Sequence, residues 1–149
     1  MNLLAGLQHV AIVTADLDRF VQFYTGVFDA ECLELPSTPA FRHALLRIGG
    51  ASTLHPVERR RHPHATGVAE PFARGHIDHL ALMAGSREAL REIRSRLTSR
   101  GASDGRVMSL GHLLSLDFTD PDGMRGEVCW VHDPLFRDRH APRPYLEPL

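Results

Sequence analysis

The sequence predicts an α+β fold built from two tandem βαβββ modules. Two observations carry that expectation. A short segment occurs twice: Gln8-His9-Val10-Ala11-Ile12-Val13-Thr14 returns as Asp78-His79-Leu80-Ala81-Leu82-Met83-Ala84. After each copy the apolar residues change from alternating to helical spacing, and three short apolar runs separated by turn residues follow each helix.

The elements can be justified in chain order. Over residues 7–14, His9, Ala11 and Val13 alternate with Val10, Ile12 and Thr14, as in a strand with two different faces. Asp16 can cap the next helix, whose apolar stripe is Leu17, Phe20, Val21 and Tyr24, and Gly26 is the expected stop. Strands are expected near Glu31–Leu35, Arg42–Ile48 and Ser52–Val57, with Gly49-Gly50 as a hairpin turn. The second copy repeats the order. A strand over 77–83 leads to a helix capped by Ser86, with Leu90, Ile93 and Leu97 as its stripe and Gly101 at its end. Strands near Arg106–Ser109, Leu113–Thr119 and Gly126–Val131 follow, the last after the turn Asp120-Pro121-Asp122-Gly123. One domain over 1–149 is therefore expected: module one at about 7–57, a linker at 58–75, module two at about 76–131, and a C-terminal tail at 132–149 with four prolines.

Composition limits the function classes. The 149 residues are 43% hydrophobic and 23% charged with net charge −1, enough apolar material for a core and no basic excess for nucleic acid. Every basic residue is arginine, which excludes lysine Schiff-base chemistry in this chain. Cys32 and Cys129 lie in different modules and are expected to be reduced. No stretch approaches the roughly 20 apolar residues of a membrane span, and the first residues lack a signal-peptide pattern, so a cytoplasmic location is expected.

The chemistry lies in ligand-type residues on the first and last strand of each module: His9 and His55 in one, His79 and Glu127 in the other. A lone strand histidine is more often a buried ring satisfied by a carbonyl. Two at equivalent places of a repeat, each two residues from an alanine that leaves space above the sheet, point to metal instead. Glu127 among apolar residues needs a cation, either a metal ion or an arginine such as Arg47 or Arg106. His55 is even between ligand and bystander, since Pro56 suggests a strand end. Two histidines and a carboxylate suit iron(II) first, with zinc, manganese, nickel and cobalt compatible, and leave open positions for a substrate. Glu127 is also the expected catalytic base, should it leave the metal on substrate binding. His43 and His112 are alternative bases that read as exposed, and His62, His64, His76, His132 and His140 read as linker, structural or tail residues. Arg59-Arg60-Arg61 reads as a solvated charge run, and Trp130 as packing opposite Glu127.

The His9 strand with Asp16-Leu17 and Phe23-Tyr24, the strand from Gly75-His76 to Leu82, and Asp120-Pro121-Asp122-Gly123 before Glu127 resemble the vicinal oxygen chelate superfamily over residues 7–131. That group includes glyoxalase I, extradiol dioxygenases, fosfomycin-resistance enzymes, methylmalonyl-CoA epimerase and bleomycin-resistance proteins. The resemblance implies a glyoxalase-like cup-shaped mixed sheet with helices outside, metal ligands at His9, His55, His79 and Glu127, and a homodimer. It also implies a metal-dependent enzyme acting on a small molecule that chelates through vicinal oxygens, dioxygenase-like before glyoxalase-like. Position 55 is more often glutamate in glyoxalase-like relatives, so His55 leaves the subfamily open. The alternative is a metal-free drug-sequestering protein. Its pocket should be aromatic, and this chain has seven Phe, two Tyr and one Trp.

Overall fold

A computed structural model describes residues 3, 7–34, 38, 42–50, 52–59, 77–135, 137–146 and 148–149. The readings of Arg60-Arg61, His62, His64 and Gly75-His76 lie outside the described residues. The chain divides into two compact units, Met1–Thr66 and Gly67–Leu149.

The first unit runs β1 (Val10–Thr14), α1 (Leu17–Phe28), β2 (Glu31–Glu34), β3 (Ala44–Arg47) and β4 (Thr53–Glu58). Its sheet order is β1-β4-β3-β2, with β1 parallel to β4 and the other pairs antiparallel. A parallel neighbour cannot be reached by a hairpin, so the chain must cross over, and α1 is that crossover. Asp16 caps α1, its carboxylate accepting from the Arg19 N–H at 3.0 Å. Helix α1 passes through Gly26, the expected stop, and ends at Asp29 in the left-handed region (φ 53°), whose N–H donates to the Tyr24 carbonyl. The buried face is Leu17, Phe20, Phe23, Tyr24 and Val27; Val21, expected in the stripe, is only half-buried at its margin. These side chains share the core with Leu46 and Leu54.

Glu58, buried at the end of β4, ties the helix to the sheet. Its Oε2 accepts from the Leu17 N–H at 2.9 Å and from Arg42 at 3.0 Å. A carboxylate suits that place, because the first N–H groups of a helix lack intrahelical acceptors.

The second unit repeats the order as β5 (Leu80–Met83), α2 (Arg87–Ser99), β6 (Val107–Gly111), β7 (Leu113–Thr119) and β8 (Arg125–Val131). Ser86 caps α2, accepting from the Ala89 N–H at 3.1 Å, and Leu90 and Leu97 are its buried residues. The tail differs from its sequence reading. Arg139–Pro144 forms β9, antiparallel to β6, giving the order β5-β8-β7-β6-β9. A sheet edge holds a strand through main-chain bonds, so no hydrophobic alternation announces it, and the outermost place tolerates Pro142 and Pro144. Among the described residues no helix is long and apolar enough to cross a membrane.

Close approach requires glycine at Gly111 and Gly126. Gly111, at φ 88°, lies where a Cβ would strike the Asp138 backbone as the chain turns into β9. Gly126 faces Phe118 across the β7–β8 pair, and a Cβ there would fall within the Phe118 ring. Gly126→Ala should therefore lower stability by roughly 1–3 kcal/mol in urea unfolding. Combined with Phe118→Leu, the loss should be smaller than the sum of the two single losses, since both act on one contact. Glu58→Ala should cost about 2 kcal/mol in the same assay by stranding the Leu17 N–H and removing one of the two carboxylate partners of Arg42, which keeps Asp18 at 2.6 Å, with Glu58→Gln intermediate.

Candidate functional site

Alternation gives each sheet a helix-facing side and an open side. In β1, Ile12 and Thr14 are buried while Ala11 and Val13 are exposed; in β4, Leu54, Pro56 and Glu58 are buried while Thr53, His55 and Val57 are half-buried. Ala11 pairs with His55, so His55 shares the open side with the in-phase His9, and the two rings meet edge-on at 5.5 Å. The second module repeats this. Ala81 and Met83 are exposed, Gly126 and Val128 are buried, and Ala81 pairs with Glu127, which is in phase with His79. The alanine between each pair leaves the space above the strands unfilled.

In the second module the side chains form a chain of contacts. Arg125 Nη1 lies 3.3 and 3.2 Å from the two carboxylate oxygens of Asp78. Asp78 Oδ2 is 2.8 Å from His79 Nδ1, and His79 Nε2 is 3.2 Å from Glu127 Oε2. The other Glu127 oxygen accepts a short hydrogen bond from the Ser115 hydroxyl. With Nδ1–H directed at Asp78, His79 turns a lone pair toward a carboxylate. Two acceptor atoms that close need positive charge between them, a proton or a metal ion. Adjacent ligands of one divalent ion, each bound at its usual length, stand about 3 Å apart. The His79–Glu127 pair therefore fits two ligand positions of one metal ion, as it also fits a shared proton.

The first module has the same layout with different chemistry. Gln8, the counterpart of Asp78, makes a short contact from its amide oxygen to His9 Nδ1, which leaves Nε2 outward. His43 Nδ1 lies 2.9 Å from His55 Nε2. Burial first, then the neighbouring rings of His43 and His9, hold the His55 pKa below the usual histidine value. His43 bridges to Val57 across its sheet as Ser115 pairs with Cys129 across the other, so the repeat puts a hydrogen-bonding partner behind each last-strand candidate. His43, expected to be exposed, is half-buried because it reaches inward to His55. His112 is also half-buried, in the turn between β6 and β7, where its carbonyl accepts from the His132 and Asp133 N–H groups at 3.1 Å.

Cys129 flanks Glu127 on the open side. Burial, with the Glu127 and Asp117 carboxylates, pushes its thiol up to about 12, so without a metal ion beside it Cys129 is a thiol rather than a nucleophilic thiolate near neutral pH. The arginines considered as partners for Glu127 are engaged elsewhere: Arg47 with Glu31 at 2.7 Å and Arg106 with Asp104 at 2.7 Å. Among the described residues no three His, Cys, Asp or Glu side chains form a group that could hold a metal ion. The candidates come as pairs, His9 with His55 and His79 with Glu127. The sequence reading did not single out Gln8, Asp78, Ser115 or Arg125. The first two had a signal, since each precedes the repeated histidine; Ser115 and Arg125 depend on strand register, which no motif marks.

Residues 6–128 match the family model of the Glyoxalase/Bleomycin resistance protein/Dioxygenase superfamily. No curated protein matches the chain. Among solved structures, a glyoxylase/bleomycin resistance protein/dioxygenase domain from Frankia sp. EAN1pec is similar at TM-score 0.70 and 24% identity, covering 88% of this chain and 95% of that one. A lactoylglutathione lyase from Agrobacterium tumefaciens aligns at TM-score 0.61 and 19% identity, covering 87% and 96%. The fosfomycin resistance protein FosX from Listeria monocytogenes, complexed with Mn(II) and sulfate, aligns at TM-score 0.60 and 18% identity, covering 86% and 93%. At these identities the structural likeness is one of fold, while the family match spans most of the sequence: the chain belongs to the Glyoxalase/Bleomycin resistance protein/Dioxygenase superfamily.

Proposed function

We propose that this chain is a metal-dependent enzyme acting on a small molecule that presents two neighbouring oxygens, with His79 and Glu127 as metal ligands in the second module and His9, with His55 as the further candidate, in the first. The observation that carries this reading is His79 set between two carboxylates, with Nδ1 toward Asp78 and Nε2 toward Glu127. Anchoring one ring nitrogen on a carboxylate fixes the tautomer and makes the other nitrogen a stronger donor. His9, with Nδ1 on Gln8, is prepared in the same way. His55 has its Nε2 against His43 and would have to give up that bond, or use its other nitrogen, to serve as a ligand.

In each module the candidate ligands stand on the open side of the first and last strand, and a homodimer is the expected assembly. A divalent ion bound by these residues would polarise two substrate oxygens or, as iron(II), bring oxygen and substrate together. The protein's own share is positional. Ala11 and Ala81 leave room for substrate, Ser115 holds one oxygen of Glu127, and Glu127 doubles as the proton acceptor. The name of the lyase agrees with small-molecule chemistry, and the Mn(II) complex of the resistance protein agrees with a metal. The metal-free binding alternative has less support. Phe118 and Trp130 are the only Phe, Tyr or Trp in the described strands, and both pair with buried residues on the helix-facing side.

Elemental analysis of the full chain, purified without chelator, should find about one equivalent of a transition metal. His79→Ala should lose it with an unchanged far-ultraviolet circular dichroism spectrum, and Asp78→Asn should weaken it roughly 10–100-fold. Iron would direct substrate screening to oxygen-dependent ring cleavage; manganese, zinc or nickel would direct it to isomerisation and addition. A wild-type protein that takes up none of these ions, or a His79→Ala variant that keeps a full equivalent, would overturn the reading.

A further inference from the structure

We propose that Arg125 is a positioning residue for the metal site, acting on His79 through Asp78; the proposal rests on the metal reading given above. Arg125 and Glu127 lie two residues apart on the open side of β8, the spacing at which an arginine could neutralise the glutamate. Arg125 instead directs one guanidinium nitrogen to both oxygens of Asp78, at 3.3 and 3.2 Å. That choice has two effects. Glu127 is left to face His79 Nε2 and Ser115. Asp78 is held with Oδ2 2.8 Å from His79 Nδ1, so a proton is kept on Nδ1 and the ring in one orientation.

The charges support this order. Asp78, His79 and Glu127 would place two carboxylates on one imidazole, and Arg125 offsets one of them at the far end from the ligand atoms. Asp78 and Glu127 are largely covered, with side chains 21% and 19% exposed, so the arrangement is only partly screened by water. The first module has a neutral glutamine at the place of Asp78 and so requires no such cation. The arginine is thus the consequence of placing a charged residue behind one of the two repeated histidines.

The test uses the full-length protein and two readouts. Zinc titration calorimetry gives the affinity for the metal alone. Proton–nitrogen NMR of the metal-free protein follows the His79 Nδ1–H proton, which the bond to Asp78 protects from exchange with water. Arg125→Gln should weaken zinc binding roughly 10–100-fold and speed the exchange of the His79 Nδ1–H proton with water. Arg125→Lys should restore most of both. Wild-type affinity together with unchanged Nδ1–H exchange in Arg125→Gln would overturn the proposal. If Arg125→Gln fails to fold, Asp78→Asn takes its place: the same two changes are expected, and wild-type values would overturn the route through Asp78. A wild-type protein that binds no zinc, manganese or iron would overturn the metal reading, while the NMR arm would still decide whether Arg125 orients His79.

Discussion

The parallel pairing of the first and last strand in each module is the constraint from which the rest follows. A parallel neighbour requires a crossover, and the crossover helix covers one side of the sheet. The apolar residues of β1, β4, β5 and β8 collect under that helix, which leaves the alternate residues on the other side. Pairing Ala11 with His55, and Ala81 with Glu127, then decides which side chains stand together there. A slip of one residue would send His55 or Glu127 beneath a helix, where burying it in place of Leu54 or Val128 would be far costlier than any local preference.

Repetition has kept positions and changed chemistry. Behind the first-strand histidine stands glutamine in one module and aspartate in the other. On the last strand stands histidine in one and glutamate in the other, and the residue reaching it from the neighbouring strand is His43 or Ser115. One module is therefore nearly neutral on its open side, with His55 disfavouring its own protonation, and the other concentrates carboxylates around a single imidazole. The fold supplies equivalent places; the electrostatics differ because the residues behind those places differ.

Most of the fold was legible in the sequence. The repeated histidine segment, the caps Asp16 and Ser86, and the strand Leu113–Thr119 needed only local periodicity and turn chemistry. Gly26 misled because Asp29 ends the helix in a left-handed conformation that sequence assigns to glycine more readily than to aspartate. β9 was hidden because edge pairing leaves no hydrophobic signature. For the candidate site, alternation placed His9, His55, His79 and Glu127 on their sides correctly. The contacts of His43, Ser115 and Arg125 could not be read, because each depends on which residue of a neighbouring strand lies opposite. Register is set by the whole sheet rather than by the residues around the side chain in question.

The outermost place of β9 affects how the protein behaves in a crowded solution. A sheet edge with a full row of N–H groups is a template on which another chain can add a strand. In the second module that edge is Arg139–Pro144, where two of six residues are prolines without an N–H and two more are arginines. A strand arriving there would find an interrupted row of donors. The segment that reads as a loose tail thus gives this side of the sheet a built-in resistance to fibrous self-association.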